Sequence, residues 1–329
     1  MRLLEREVKL SNKDNPVLPR RLITGQTIGV VALSSACEEK RFQAGVRYLE
    51  SLGFRVKVAL DPCRYYGSKH FMFSSDSAQN RAQALHALFA DSEVSAIVVA
   101  RGAYGSMEVL PLIDFKLVRD NCKLICGFSD ATAVLSAIYQ HAGIVALHGP
   151  SLESAFSKAA LGDEAGLTSS QALLSCMRGE TQPWFAGLEL SNFAGSSAAE
   201  GPLTGGNLTI LSHLMGTPWE PEFSEHIVFL EETGEPPYRV HRMLLQLKIA
   251  GKFAGVRGIF LGRFSNCVHA QGLGPSLDEV LKDIFKVYAF PVLGFAPFGH
   301  SGLNYPLPYG VRSRISAQGL EILGPIVQD

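Results

Sequence analysis

One serine in this 329-residue chain sits in surroundings that read as chemistry. In Lys123-Leu-Ile-Cys-Gly-Phe-Ser129-Asp-Ala-Thr-Ala-Val-Leu-Ser-Ala-Ile-Tyr139, a short apolar run gives way to helical spacing through Ala131, Val134, Leu135 and Ile138. A strand that turns sharply into a helix at Gly127-Phe-Ser129 projects the hydroxyl from the turn. The helix N-terminus behind it favours developing negative charge. The familiar elbow is Gly-x-Ser-x-Gly, and here Ala131 stands in the last position. The plainer role for Ser129 is a helix N-cap.

A hydroxyl is a poor nucleophile until a base takes its proton, and the base works best when a carboxylate orients it. Of nine histidines, His300 stands apart, inside Gly294-Phe-Ala-Pro-Phe-Gly-His-Ser-Gly-Leu-Asn304. A histidine between glycines in an irregular loop has no packing purpose, and such a loop can approach a partner closely. His148, at the end of a predicted strand, ranks second. For the acid, Glu231 closes the apolar run Ile227-Val-Phe-Leu230, with Glu232 and Glu235 close behind; spacing alone does not rank the three. A tetrahedral oxyanion also needs N–H donors. Asp130 would supply one, and Gly102 or Ala103 of Arg101-Gly-Ala-Tyr-Gly105 the other.

The elements that must position these residues alternate. Predicted strands at Thr27–Ala32, Phe54–Leu60, Ser95–Ala100, Leu124–Gly127 and Ile144–His148 are interleaved with helices near Glu38–Leu52, around Ala82–Phe89, and Asp130–His141. That order implies a parallel sheet with helices on both faces, whose ligands collect beyond the carboxyl ends of the strands. The Ser129 turn and the 101–106 loop both lie there. Beyond about residue 200, strands at His226–Glu231 and Gly258–Gly262 mix with helices near Leu208–Leu214, Tyr238–Ala250 and Ser276–Val287. This mixture reads as a separate α+β domain.

Composition narrows the classes. Thirty basic and 31 acidic side chains leave a formal charge of −1 without a basic stripe, so nucleic acid is not an expected partner. No apolar run approaches the roughly 18 residues of a membrane span. The N-terminus lacks a secretory pattern, so a cytoplasmic protein is expected. The six cysteines form no C-x-x-C pair and read as reduced packing thiols. No His-Glu-x-x-His and no Cys/His cluster is present, so no metal is expected. The glycine loop matches no nucleotide fingerprint, so no cofactor is expected either.

In these blocks the sequence resembles the LD-carboxypeptidase family of serine peptidases (muramoyltetrapeptide carboxypeptidases), which also includes the microcin C self-immunity peptidases. The resemblance runs from about Thr27 to Gly310. It rests on Arg101-Gly-Ala-Tyr-Gly105, Gly127-Phe-Ser-Asp-Ala-Thr132, His148-Gly-Pro150, Gly205-Gly-Asn-Leu208 with Gly216-Thr-Pro218, Leu230-Glu-Glu-Thr-Gly-Glu235 with Tyr238-Arg-Val-His-Arg242, and Phe298-Gly-His300 with Leu307-Pro-Tyr-Gly310. It implies a Ser129–His300–Glu231 triad. It also implies a Rossmann-like nucleophile domain and a smaller C-terminal α+β domain, with the active site at their interface. The corresponding divisions are an N-terminal extension (1–22), the nucleophile domain (23–155), a connector (156–199) and the C-terminal domain (200–329). Two departures stand out: Ala103 replaces a family glycine, and Glu231-Glu232 replaces Glu-Asp.

The activity implied is removal of the terminal D-alanine from a murein tetrapeptide during peptidoglycan recycling, through an acyl-enzyme. The substrate would be a small peptide or muropeptide, and a homodimer is a family expectation. A carboxypeptidase must hold a free carboxylate. Arg101 with Tyr104, or the Gly206-Asn207 helix start, are the candidates. Three other readings compete. A self-immunity peptidase would need an aromatic platform, for which Trp184 and Trp219 are the tryptophans at hand. An α/β-hydrolase esterase has the same Ser, Glu, His chain order but requires a fifth elbow glycine and an HGGG-type loop. A non-catalytic muropeptide sensor would have no use for a base.

Overall fold

The structure, a computed structural model, describes residues 16–64, 73–180, 183–269 and 274–329. Most of the expected N-terminal extension (1–15) and His70 lie outside these residues. The described end of that segment is not a free arm. Val17 bridges to Ile144, Arg20 pairs with Gln328, and Leu22 is buried.

Two sheets organise the chain. The first takes β1 (Thr27–Val31), β2 (Arg55–Val58), β3 (Val94–Val99), β4 (Leu124–Gly127) and β5 (Leu147–His148). They lie in the order β5-β4-β3-β1-β2, all neighbours parallel. Helices α1 (Glu39–Ser51), α2 (Ala78–Ala90), α3 (Phe115–Asp120) and α4 (Thr132–Ala137) make the crossovers. This is the doubly wound arrangement that the alternation of apolar runs and amphipathic stretches predicts. The expected helix from Asp130 to His141 is built in three pieces: a tight turn at Ser129–Ala131, α4, and a wider turn at Ile138–Ala142. All six residues of α4 are buried, because it is wedged between the two sheets.

The connector carries α5 (Ser157–Ala160) and α6 (Glu164–Met177). The second sheet takes β6 (Ser191–Ala194), β7 (Ala199–Asn207), β8 (Ile227–Thr233), β9 (Gly258–Ser265) and β10 (Val292–Gly294). Strands β7 to β10 are parallel, joined in turn by α7 (Leu208–His213), α8 (Pro237–Ile249) and α9 (Leu277–Phe285). The centre of this half therefore repeats β-α more regularly than its sequence implies, and its α+β character comes from antiparallel edges. One edge is β6. The other is the hairpin of β12 (Arg312–Ser316) and β13 (Gly319–Ile322). The short strand β11 (Leu307–Pro308) leaves this half and pairs antiparallel with β5 in the first sheet.

Strand β8 alternates between two environments, as a pleated strand must. Ile227 and Phe229 join a core shared with the first sheet, which includes Val134, Leu135 and Ile138. Val228 and Leu230 face the other way, into a core under α7 to α9 with Leu211, Leu244 and Leu281. Continuous apolar packing thus fixes the two sheets against one another. Among the described residues no helix is long and apolar enough to cross a membrane.

Candidate active site

Ser129 leaves β4 with φ at 62°, a left-handed conformation that costs a non-glycine residue about 1–2 kcal/mol. The surroundings enforce it. A Cβ on Gly127 would lie 2.8 Å from Val99 and 3.2 Å from the Ala131 methyl, so the glycine lets the elbow close on β3. The same space accommodates Ala131 where the familiar elbow has glycine. The Asp130 carboxylate is buried beneath the turn, where it accepts hydrogen bonds from Ser34 Oγ at 2.5 Å and from the Ser106 N–H at 2.7 Å. The Ser106 hydroxyl donates to the Asp130 carbonyl. The elbow is thereby tied to the loops after β1 and β3.

The loop after β3 crosses directly over the serine. A Cβ on Gly102 would sit 2.9 Å from Ser129 Cβ and 3.2 Å from its Oγ, so only glycine admits this approach. Ala103 adopts φ of 84°, the strained conformation that a glycine there would relieve. The fully buried Arg81 holds the loop from behind: its guanidinium donates to the Gly105 carbonyl at 2.8 Å, to the Asp76 carbonyl at 3.0 Å, and to the Leu33 carbonyl and Glu108.

Across the interface, His300 Nε2 lies 3.0 Å from Ser129 Oγ, and His300 Nδ1 lies 2.6 Å from Glu231 Oε2. Glu231 is fully buried within β8, on the face shared with Ile227 and Phe229. Gly299, with φ of 86°, passes so close that a Cβ would overlap the Glu231 carboxylate. Burial alone would depress the His300 pKa, but the charge and hydrogen bond of Glu231 outweigh it and leave it raised. Burial likewise opposes the charge on Glu231, and His300 outweighs it, so that carboxyl is held below its ordinary value.

The other acids point elsewhere. Glu232 is buried on the opposite face of β8, where it accepts from Asn207 Nδ2 at 3.1 Å, the Thr209 N–H at 2.7 Å and the Thr233 N–H at 2.8 Å. Burial raises its pKa. Glu235 pairs with Arg239 at 3.2 Å. His148 is in register with Gly127 but wholly buried, its ring 5.2 Å from that of Phe229. Burial pushes its pKa down to about 4, and neither ring nitrogen has a hydrogen-bond partner among the described residues.

A cleft beside His300 is lined by Phe128, Ser154, Lys158, Thr233, Gly299, Ser301, Gly302 and Asn304. The four residues that the sequence offers for a substrate carboxylate are not on its walls. Arg101 donates to the Ala36 carbonyl at 2.8 Å and pairs with Glu153 at 3.6 Å. Tyr104 is exposed and packs edge-on against Phe73. Asn207 spends its side chain on Glu232 and on capping α7 through the Ile210 N–H, while its own N–H donates to Thr132 Oγ1 at 3.1 Å. Gly206, with φ of 137°, leaves room for that same threonine. The Gly205-Gly206-Asn207 block thus joins β7 to the helix behind Ser129. Sequence reading assigns no role to Ser34, Arg81 or Lys158, and places Ser106 only within the 101–106 loop.

A serine on a strained turn faces an imidazole and a buried carboxylate from a second sheet, in a two-domain α/β protein whose candidate site lies where the two sheets meet. The chain belongs to the LD-carboxypeptidase family of serine carboxypeptidases: its residues 28–149 match the family's N-terminal domain and residues 200–315 its C-terminal domain. It is 33% identical over 301 residues to the probable murein peptide carboxypeptidase of Bacillus subtilis, covering 91% of each chain. It is 27% identical over 330 residues to the microcin C7 self-immunity protein MccF of Escherichia coli, covering 92% of this chain and 94% of that one. The solved muramoyltetrapeptide carboxypeptidase of Oxalobacter formigenes superposes with a TM-score of 0.77 at 28% identity, covering 90% of this chain and 98% of the other.

Proposed function

We propose that the chain is a serine LD-carboxypeptidase that releases the terminal D-alanine of a murein tetrapeptide, cutting between the L-centre of its diamino acid and D-Ala. The observation that carries this reading is the relay from Ser129 Oγ through both ring nitrogens of His300 to Glu231, at 3.0 and 2.6 Å. Neutral His300 takes the Ser129 proton at Nε2 as Oγ attacks the amide carbonyl carbon. The N–H groups of Asp130 and of Gly102 or Ala103 receive the charge on the carbonyl oxygen. The close approach of Gly102 to Ser129 supports that assignment. Glu231 steadies the imidazolium without taking its proton. His300 passes the proton to the leaving nitrogen, the C–N bond breaks, and D-alanine departs. Water activated by the same imidazole then hydrolyses the acyl-serine ester.

A second reading, cleavage of an aminoacyl nucleotide, draws support from the likeness to MccF, one solved complex of which holds glutamyl sulfamoyl guanosine. The murein reading is favoured by the position of the tryptophans. Trp184 stacks on Tyr305, Trp219 packs against the shared core, and neither lines the cleft. The test is incubation with L-Ala-D-Glu-meso-diaminopimelate-D-Ala beside an aminoacyl sulfamoyl nucleoside, with Ser129→Ala as control. D-Alanine release by the wild type alone is expected. Cleavage of only the nucleoside would replace the murein reading with the second, and release by both proteins would reject Ser129 as nucleophile.

A further inference from the structure

On the reading above, the leaving nitrogen must come within reach of His300 Nε2, because that atom returns the proton. The terminal carboxylate of the departing residue is one carbon away from that nitrogen. It must therefore settle in the cleft bounded by His300, Gly299, Ser301, Gly302 and Phe128. Burying a carboxylate there requires a cation or strong donors.

Two side chains of the cleft meet that need. Lys158, the cation among its lining residues, makes no ion pair among the described residues, in contrast to Arg101. Asn304 is buried, and its Oδ1 accepts from the Gly299 N–H at 2.9 Å, which fixes the amide orientation. That leaves Asn304 Nδ2 as a donor with no partner among the described residues. An orphaned buried donor is costly to the folded protein, so a partner supplied by substrate would recover that loss on binding.

Helix α6 makes both positions rigid. The Lys158 carbonyl accepts the N–H groups of Leu161 and Asp163, each at 3.0 Å. Asp163 in turn caps α6 through the Gly166 N–H at 2.6 Å. A Cβ on Gly166 would lie 2.6 Å from Lys158 Cβ, so the glycine lets α6 press against the lysine stem. On the same helix, Ser169 Oγ accepts the Asn304 N–H at 3.0 Å.

We infer that Lys158 and Asn304 Nδ2 form the subsite that binds the C-terminal carboxylate of the leaving residue, and so make the enzyme select a free chain end. Phe128, whose ring lies 4.9 Å from that of His300, closes the adjoining wall and limits the side chain of that residue to a small one.

The test reads binding apart from turnover. In a Ser129→Ala background, the affinity for the tetrapeptide acid is compared with that for its C-terminal amide by calorimetry. The acid is expected to bind about 10- to 100-fold more tightly, the range of a hydrogen-bonded charge. Adding Lys158→Met should erase that preference. Adding Asn304→Asp, which keeps the Gly299 bond but turns the donor into an acceptor, should reverse it. A lysine-containing tetrapeptide, which lacks the side-chain carboxylate of diaminopimelate, should show the same acid preference. If the preference is lost in that peptide, or survives in the Lys158→Met variant, the subsite is overturned. Neither result touches the murein reading, which fails separately if the unaltered protein releases no D-alanine.

Discussion

Glu231 grips His300 twice with one oxygen: Oε2 meets the imidazole Nδ1 at 2.6 Å and the backbone N–H of the same residue at 3.1 Å. The carboxylate therefore fixes both the ring and the loop that carries it. Glu231→Gln keeps the shape but loses the charge and offers an amide that can turn its NH₂ toward the ring. We expect kcat to fall by about 10³–10⁴ on the tetrapeptide, with the circular dichroism spectrum retained, as when the carboxylate of a comparable triad is neutralised.

The pH profile carries a sign. His300 must be neutral to accept the serine proton, and pairing with Glu231 raises its pKa above 6.5. The kcat/KM should accordingly climb with pH through a midpoint above 6.5. In Glu231→Gln the depressing effect of burial is left opposed only by the more distant charge of Glu232, and the midpoint of the residual activity should fall. An unmoved midpoint would mean that Glu231 does not set the basicity of the histidine.

Gly299→Ala attacks the same pairing from the backbone. The new methyl would overlap the Glu231 carboxylate, in a left-handed conformation that alanine resists. A loss of about 2 kcal/mol in urea unfolding, together with a fall in kcat, is expected. A variant as stable and active as the parent would show that the His300 loop can yield.

Ala103→Gly runs in the opposite direction. Its φ of 84° belongs to glycine, and the site is exposed, so removing the methyl relieves strain without opening a cavity. We expect a stabilisation of up to about 1 kcal/mol, seen as a higher Tm.

The residues that the sequence made legible share a local signature. The apolar strand before Ser129 and the glycine two places earlier announce a turn at a strand end, and glycines around His300 announce a loop that comes close to something. The choice between Glu231 and Glu232 was also within reach, since strand alternation puts Glu231 with Ile227 and Phe229 on the face toward the first sheet. Strand β7 was hidden for a physical reason. Gly205 and Gly206 lie at φ of 144° and 137° where the chain passes tightly against Phe229 and Thr132, so composition resembles a turn while the backbone is extended. Lys158 was hidden by its ordinariness: an exposed lysine on a four-residue helix has no pattern, and its significance comes from the loop bearing Gly299 to Asn304, far along the chain, that faces it.

The strand β11 has a consequence for how this chain can be taken apart. The stretch bearing His300 begins at β10 in the second sheet and ends at β11, which is hydrogen-bonded to His148 and Leu147 in the first. His300 therefore rides on a bridge anchored on both banks. Severed within residues 156–199, the amino-terminal fragment would lack the outermost strand of its own sheet and expose the edge of β5. Its counterpart would carry β11, between β10 and β12, without the strand it pairs with. A split version of this protein would bring His300 back to Ser129 only where β11 pairs again with β5.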